Sequence, residues 1–217
     1  MAITAALVKE LRERTGAGMM DCKKALVETN ADLEAAIDLM RASGAAKAAK
    51  KAGRVASEGL VNVTISDDNK HAAILEVNSE TDFVTKGSAF IDFVEALGAL
   101  ALKNKPESVE SFVSQKLDSG ETVDEAREGI IAKIGENISV RRVQIVSTDS
   151  GVLGAYKHGD RIAVLAVLSS EDAELAKDVA MHIAASRPEC VSEDQLSSEL
   201  LEREKAIFIE QAKESGK

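Results

Sequence analysis

The side chains able to do chemistry are few and scattered. Three histidines, His71, His158 and His182, and two cysteines, Cys22 and Cys190, are spread along 217 residues. Structural and catalytic zinc sites need such donors at short, repeated spacings, and these residues have none. Phosphate-cradling loops of the GxxxxGK[ST] and GxGxxG types are absent. The 37 Asp and Glu form no compact set and read as a solvated acidic surface. The expected class is therefore a soluble, non-catalytic protein that needs no cofactor and presses surfaces against a macromolecular partner.

Two local segments are unusual. In the first, Leu11 to Leu26, the adjacent Met19 and Met20 cannot both face the core of a short helix. They are either adaptable gap-fillers or a flexible apolar contact rimmed by Lys9, Arg12 and Lys23. The second, Glu76 to Lys86, follows a strand. Ser79 or Thr81 can cap a helix there, and Asp82 suits a first turn. Phe83 either packs inward as a staple or projects beside Asp82 as a wedge.

The elements that must position these segments follow from periodicity. Residues 1–44 read as three short helices, the first starting at Thr4. A Gly-containing turn spans residues 15–18, a second helix runs from Met19 to Val27, and a third from about Asp32 to Ser43 with Gly44 as C-cap. The Ala/Lys run from 45 to 54 has little to bury and reads as an exposed helical or flexible linker. Leu60–Ile65 and Ala73–Val77 then form a hairpin, followed by helices over about 89–102 and 123–134. Arg141 and Arg142 interrupt the next strand, 138–146. A second hairpin turns at His158-Gly159-Asp160, and a helix runs from about Asp172 to Ser186. A last helix starts at a Ser192/Gln195 capping box, with a Val191/Leu196 staple, and runs to Lys217.

Totals fit this picture. Aromatics are 3% of the chain, so the core must be aliphatic. The net charge of −10 argues against nucleic-acid partners. Residues 1–54 nevertheless carry a net +3 and the remainder −13, which suggests two recognition surfaces. No run approaches membrane-spanning length, the Met1-Ala2-Ile3-Thr4 start does not resemble a leader, and isolated cysteines suit a reducing compartment. A cytoplasmic location is expected.

The two segments, LRERTGAGMMDCKKAL and EVNSETDFVTK, resemble the paired signatures of the bacterial elongation factor Ts family. KIGENI with Arg141-Arg142, GAYKHG at 154–159 and MHIAAS at 181–186 extend the likeness over essentially the whole chain. Thr85 departs harmlessly from the family's usual Ser or Ala. Members continue past Ser215-Gly216-Lys217 into a returning coiled-coil helix, further core strand and a C-terminal module, which this sequence does not contain.

The resemblance implies an α+β fold in four parts. These are a three-helix, ubiquitin-associated-like bundle with its linker (1–54), a core subdomain (55–149), an incomplete second subdomain (150–190) and one arm of a helical hairpin (191–217). It implies a guanine nucleotide exchange factor for elongation factor Tu. Thr81, Asp82, Phe83 and Val84 would disturb the partner's magnesium site, while Lys9, Arg12, Met19, Met20, Lys23 and His158 make further contacts. No direct nucleotide binding is expected, and residues beyond about Arg203 should be mobile or pair with another copy. The competing reading is an adaptor or chaperone-like module without exchange activity.

Overall fold

The computed structural model describes residues 3–216. Met1 and Ala2, part of the segment read for a leader, and Lys217, the expected helix end, lie outside them. Three helices open the chain, α1 (Ala5–Thr15), α2 (Met19–Glu28) and α3 (Leu33–Lys51). The Thr4 hydroxyl accepts the Leu7 N–H at 3.2 Å, so α1 starts where its N-cap residue stands. Gly16 ends it in the left-handed region at φ 64°, where a side chain would be strained. Val8, Leu11, Cys22, Leu26 and Ala36 form the small core of this bundle.

The third helix makes the Ala/Lys run helical as far as Lys51 and corrects the expectation that nothing in it is buried. α3 does not end at Gly44 but continues to Lys51, and Gly44 is buried inside it. A Cβ on Gly44 would stand 3.7 Å from the Ala132 side chain, an ordinary contact distance, so α3 packs against a later helix, Val123–Ile134, at this point. Ala48 is 2% exposed and belongs to the core of the body, not to a solvated spacer.

That body is a three-stranded antiparallel sheet of β1 (Glu58–Ile65), β2 (His71–Ser79) and β3 (Ser139–Ser147), in that order. Between β2 and β3 come α4 (Ser88–Asn104), α5 (Val109–Val113) and α6 (Val123–Ile134). α5 is one turn made by a Ser108/Ser111 capping box that buries Phe112; its five residues are too few for a helical period to be read. The core consists of Leu75, Val77, Phe90, Val94, Leu97, Ile131 and Ile138 with their neighbours. The Arg141-Arg142 interruption is a bulge: Glu76 pairs with Arg142 and Val77 with Val140, leaving Arg141 as the extra residue. Both arginines face solvent, and Arg142 Nη2 meets the Glu76 carboxylate at 2.6 Å.

A second antiparallel pair follows, β4 (Val152–His158) with β5 (Ile162–Leu168), then α7 (Ala173–Ser186) and α8 (Ser198–Glu214). The last helix starts five residues later than the Ser192 reading placed it. Residues Glu193–Gln195 form only a 3-10 turn, and the N-cap of α8 is Ser197. Gln195 does reach back to the Val191 N–H at 2.9 Å, but Ser192 bonds Asp194 instead of an N3 amide. Neither bond of the expected capping box is made, and the turn does not propagate.

α7 lies directly on β4 at Gly154, where a Cβ would fall 2.2 Å from the backbone carbon of Ala176. Gly154→Val is expected to force α7 off the strand at a cost of about 3 kcal/mol or more. The thermal midpoint, followed by circular dichroism, should fall by about 6–12 °C for a chain of this size.

Candidate functional site

The tip begins where β2 ends. Ser79 is fully buried and donates its hydroxyl to the Thr81 carbonyl at 2.9 Å. Thr81 does not cap a helix. Its N–H and hydroxyl both donate to the Glu136 carboxylate, at 2.9 and 2.7 Å. The chain then turns through a 3-10 segment, Val84–Lys86, closed by Thr85 Oγ1 donating to the Asp82 carbonyl at 2.8 Å. Val84, 7% exposed, anchors this turn in the main core.

Phe83 is therefore lifted outward, with 80% of its surface exposed, and the inward-packing alternative fails. The reason is local: Val84 and Thr85 take the inward positions, and three residues of 3-10 turn cannot point Phe83 the same way. Asp82 beside it is exposed and lies 3.7 Å from Lys86 Nζ. Of the four predicted tip residues, Asp82 and Phe83 face outward, Thr81 is clamped and Val84 is interior.

His158 joins them. The hairpin turn of β4 and β5 docks on β1 through the Val61 N–H donating to the Asp160 carbonyl at 2.8 Å, and through an Arg161–Glu58 ion pair. This brings His158, whose Nδ1 lies 3.0 Å from the Tyr156 hydroxyl, to the rim of an open hollow of about 400 Å3. Asp82, Lys86, Gly59, Asp160 and Arg161 line the same hollow. Residues 76 positions apart thus meet at one site, which no spacing in the sequence announces.

The other predicted contacts lie on the bundle. Met19 and Met20 are 60% and 74% exposed, so neither fills a gap in its core. Lys23 is exposed on the same helix, and Lys9 and Arg12 are exposed on α1, where Lys9 pairs with Glu13 at 3.6 Å. Val27, 55% exposed on α2, adds apolar surface that the sequence reading missed. Cys22 is fully buried and Cys190 half-buried.

Glu80, Glu136 and Asn137 have no role in the sequence reading. The available signal was the KIGENI segment itself, two polar side chains beside a left-handed Gly135 at φ 87°. Glu80 Oε1 accepts the Asn137 N–H at 2.6 Å and an Arg54 guanidinium N–H at 3.1 Å. Its carboxyl is held below its ordinary value of 4.5 first by the Asn137 N–H, against a desolvation that raises it, and then by the charges of Arg54 and Lys51. A value lower in the folded than in the unfolded chain gives stability that is present above the unfolded value and lost as pH falls through the folded one. The gap in thermal midpoint between the protein and Glu80→Gln should be full at neutral pH and narrow as pH falls below about 4.5.

Among the described residues no group of three or more His, Cys, Asp or Glu is placed to hold a metal ion, and no helix is long and apolar enough to cross a membrane. The fold and the site define an α+β scaffold that holds exposed apolar side chains on clamped turns, a class of protein that presents surfaces. The family model described as elongation factor TS matches residues 80–217. An elongation factor Ts of Ruthia magnifica subsp. Calyptogena magnifica is 68% identical over all of this chain and 73% of its own length. Those of Vesicomyosocius okutanii subsp. Calyptogena okutanii and Legionella pneumophila (strain Paris) are 61% and 53% identical, with 75% and 73% of their lengths covered. The chain belongs to the elongation factor Ts family, among the factors of translation elongation.

Proposed function

We propose that the chain is a guanine nucleotide exchange factor for elongation factor Tu, releasing GDP by disturbing the partner's magnesium and phosphate site. The observation that carries this reading is Phe83, 80% exposed on a turn whose flanking residues are pinned. Phe83 enters the partner as a wedge, and Asp82 competes for the groups that hold magnesium. His158 touches the partner alongside, while Met19, Met20, Lys9, Arg12 and Lys23 anchor the bundle. Bound diphosphate depends on the metal and on oriented backbone dipoles, so displacing either raises its off-rate. An exchange factor must bind the nucleotide-free partner better than the loaded one, because only differential affinity shifts an equilibrium. This reading contains no covalent step and places the protein in the cytoplasm with its partner. The exposed Ile207, Phe208 and Ile209 of α8 would support pairing with a second copy, read out by sedimentation.

The test uses elongation factor Tu loaded with fluorescent GDP. Release should accelerate at substoichiometric amounts of the chain. Binding without acceleration supports the adaptor reading instead.

A further inference from the structure

The turn Gly135-Glu136-Asn137, between α6 and β3, is tied to two parts of the molecule at once. On the tip side, Glu136 accepts both the N–H and the hydroxyl of Thr81, and the Asn137 N–H donates to Glu80. On the side of α3, Asn137 Nδ2 donates to the Arg54 carbonyl at 2.8 Å, and Lys51 Nζ donates to the Gly135 carbonyl. The Arg54 guanidinium closes the ring on Glu80. Asn137 is 6% exposed, so these bonds are sheltered from competing water.

We infer that Glu136 and Asn137 are positioning residues: they fix the Phe83 tip against the end of the helix that leaves the N-terminal bundle. The inference rests on the exchange reading above and extends it to residues that do not touch the partner. Two bonds from one carboxylate to one threonine fix its orientation as well as its place, and charge-assisted bonds are the strong ones. Without them, residues 80–83 would have to be ordered as the tip inserts, after the bundle has docked, and that entropy would raise the barrier to GDP release. The tie to Arg54 adds registry: the exposed methionines of the bundle and the exposed phenylalanine of the tip meet the partner in one geometry, which favours simultaneous engagement.

The test compares Glu136→Ala and Glu136→Gln with the unaltered chain by two readouts. In the free protein, amide hydrogen exchange at Thr81 should quicken about ten-fold or more in Glu136→Ala, as expected for losing a charged acceptor, while Leu75 and Val77 of β2 stay protected. Glu136→Gln keeps one acceptor oxygen and should fall between. In GDP release, the maximal acceleration should drop about ten-fold with the half-saturating concentration little changed, because the bundle contacts are intact. In a Phe83→Ala background, Glu136→Ala should add nothing further, since both act through the tip. Unchanged protection at Thr81 overturns the inference whatever the release assay gives. An effect of equal size in the Phe83→Ala background overturns it too, by showing that Glu136 acts elsewhere. Failure of the unaltered chain to release GDP sinks the exchange reading instead, and Thr81 protection then still decides whether Glu136 holds the tip.

Discussion

Phe83→Ala should lower the release of GDP from elongation factor Tu by about thirty-fold or more, the scale of a central aromatic hot spot in an interface. It should do so without loosening the fold. With 80% of its surface in solvent, the ring leaves no cavity when removed, and exposed substitutions of this kind lie within about 0.5 kcal/mol. The next phenylalanine along the chain supplies the contrast. Phe90, two residues into α4, is fully enclosed in the main core. Phe90→Ala should cost about 3–5 kcal/mol and lower the thermal midpoint by roughly 6–20 °C. Stopped-flow fluorescence and thermal unfolding on the two variants separate a ring that docks from a ring that packs. A large loss of stability in Phe83→Ala would mean that the ring is part of the core after all.

Ala48→Asp should destabilise the protein by about 3–5 kcal/mol, because it places an unpaired charge against α6 in the principal core. Ala49→Asp, one residue on and exposed, should change stability by less than about 0.5 kcal/mol. The pair tests whether the second half of α3 belongs to the body. An exposed linker would tolerate both substitutions equally, and equal midpoints in thermal unfolding would return the 45–54 segment to that status. The expected outcome follows from geometry: α3 meets Ala132 of α6 at Gly44, and Ala48 lies one turn further along the same face.

Much of the architecture is local and was legible. Thr4, Asp32, Thr122 and Asp172 each cap the helix that the periodicity predicted, because a cap is decided by one side chain and an amide three residues on. The hairpins follow alternation for the same reason: β1 and β2 pair residue for residue around the 66–70 turn. The Ser192 box shows the limit. Its residues are equally local, but the box bonds do not form, the turn stops after three residues, and the chain starts again at Ser197.

What the sequence alone determined was the α+β class, the order of the longer elements, and the two segments that carry the exposed Met19, Met20 and Phe83. Residue types and short spacings carry that information, since they set backbone preference and the face each side chain takes. Only the tertiary structure decided that Phe83 projects while Val84 is interior, that His158 and Asp82 share one hollow, and that Ala48 of the Ala/Lys run joins the core. It also decided that Glu136 reaches back 55 residues to hold Thr81. Such contacts depend on where distant strands and helices come to rest, and no periodicity within a window of a dozen residues records that.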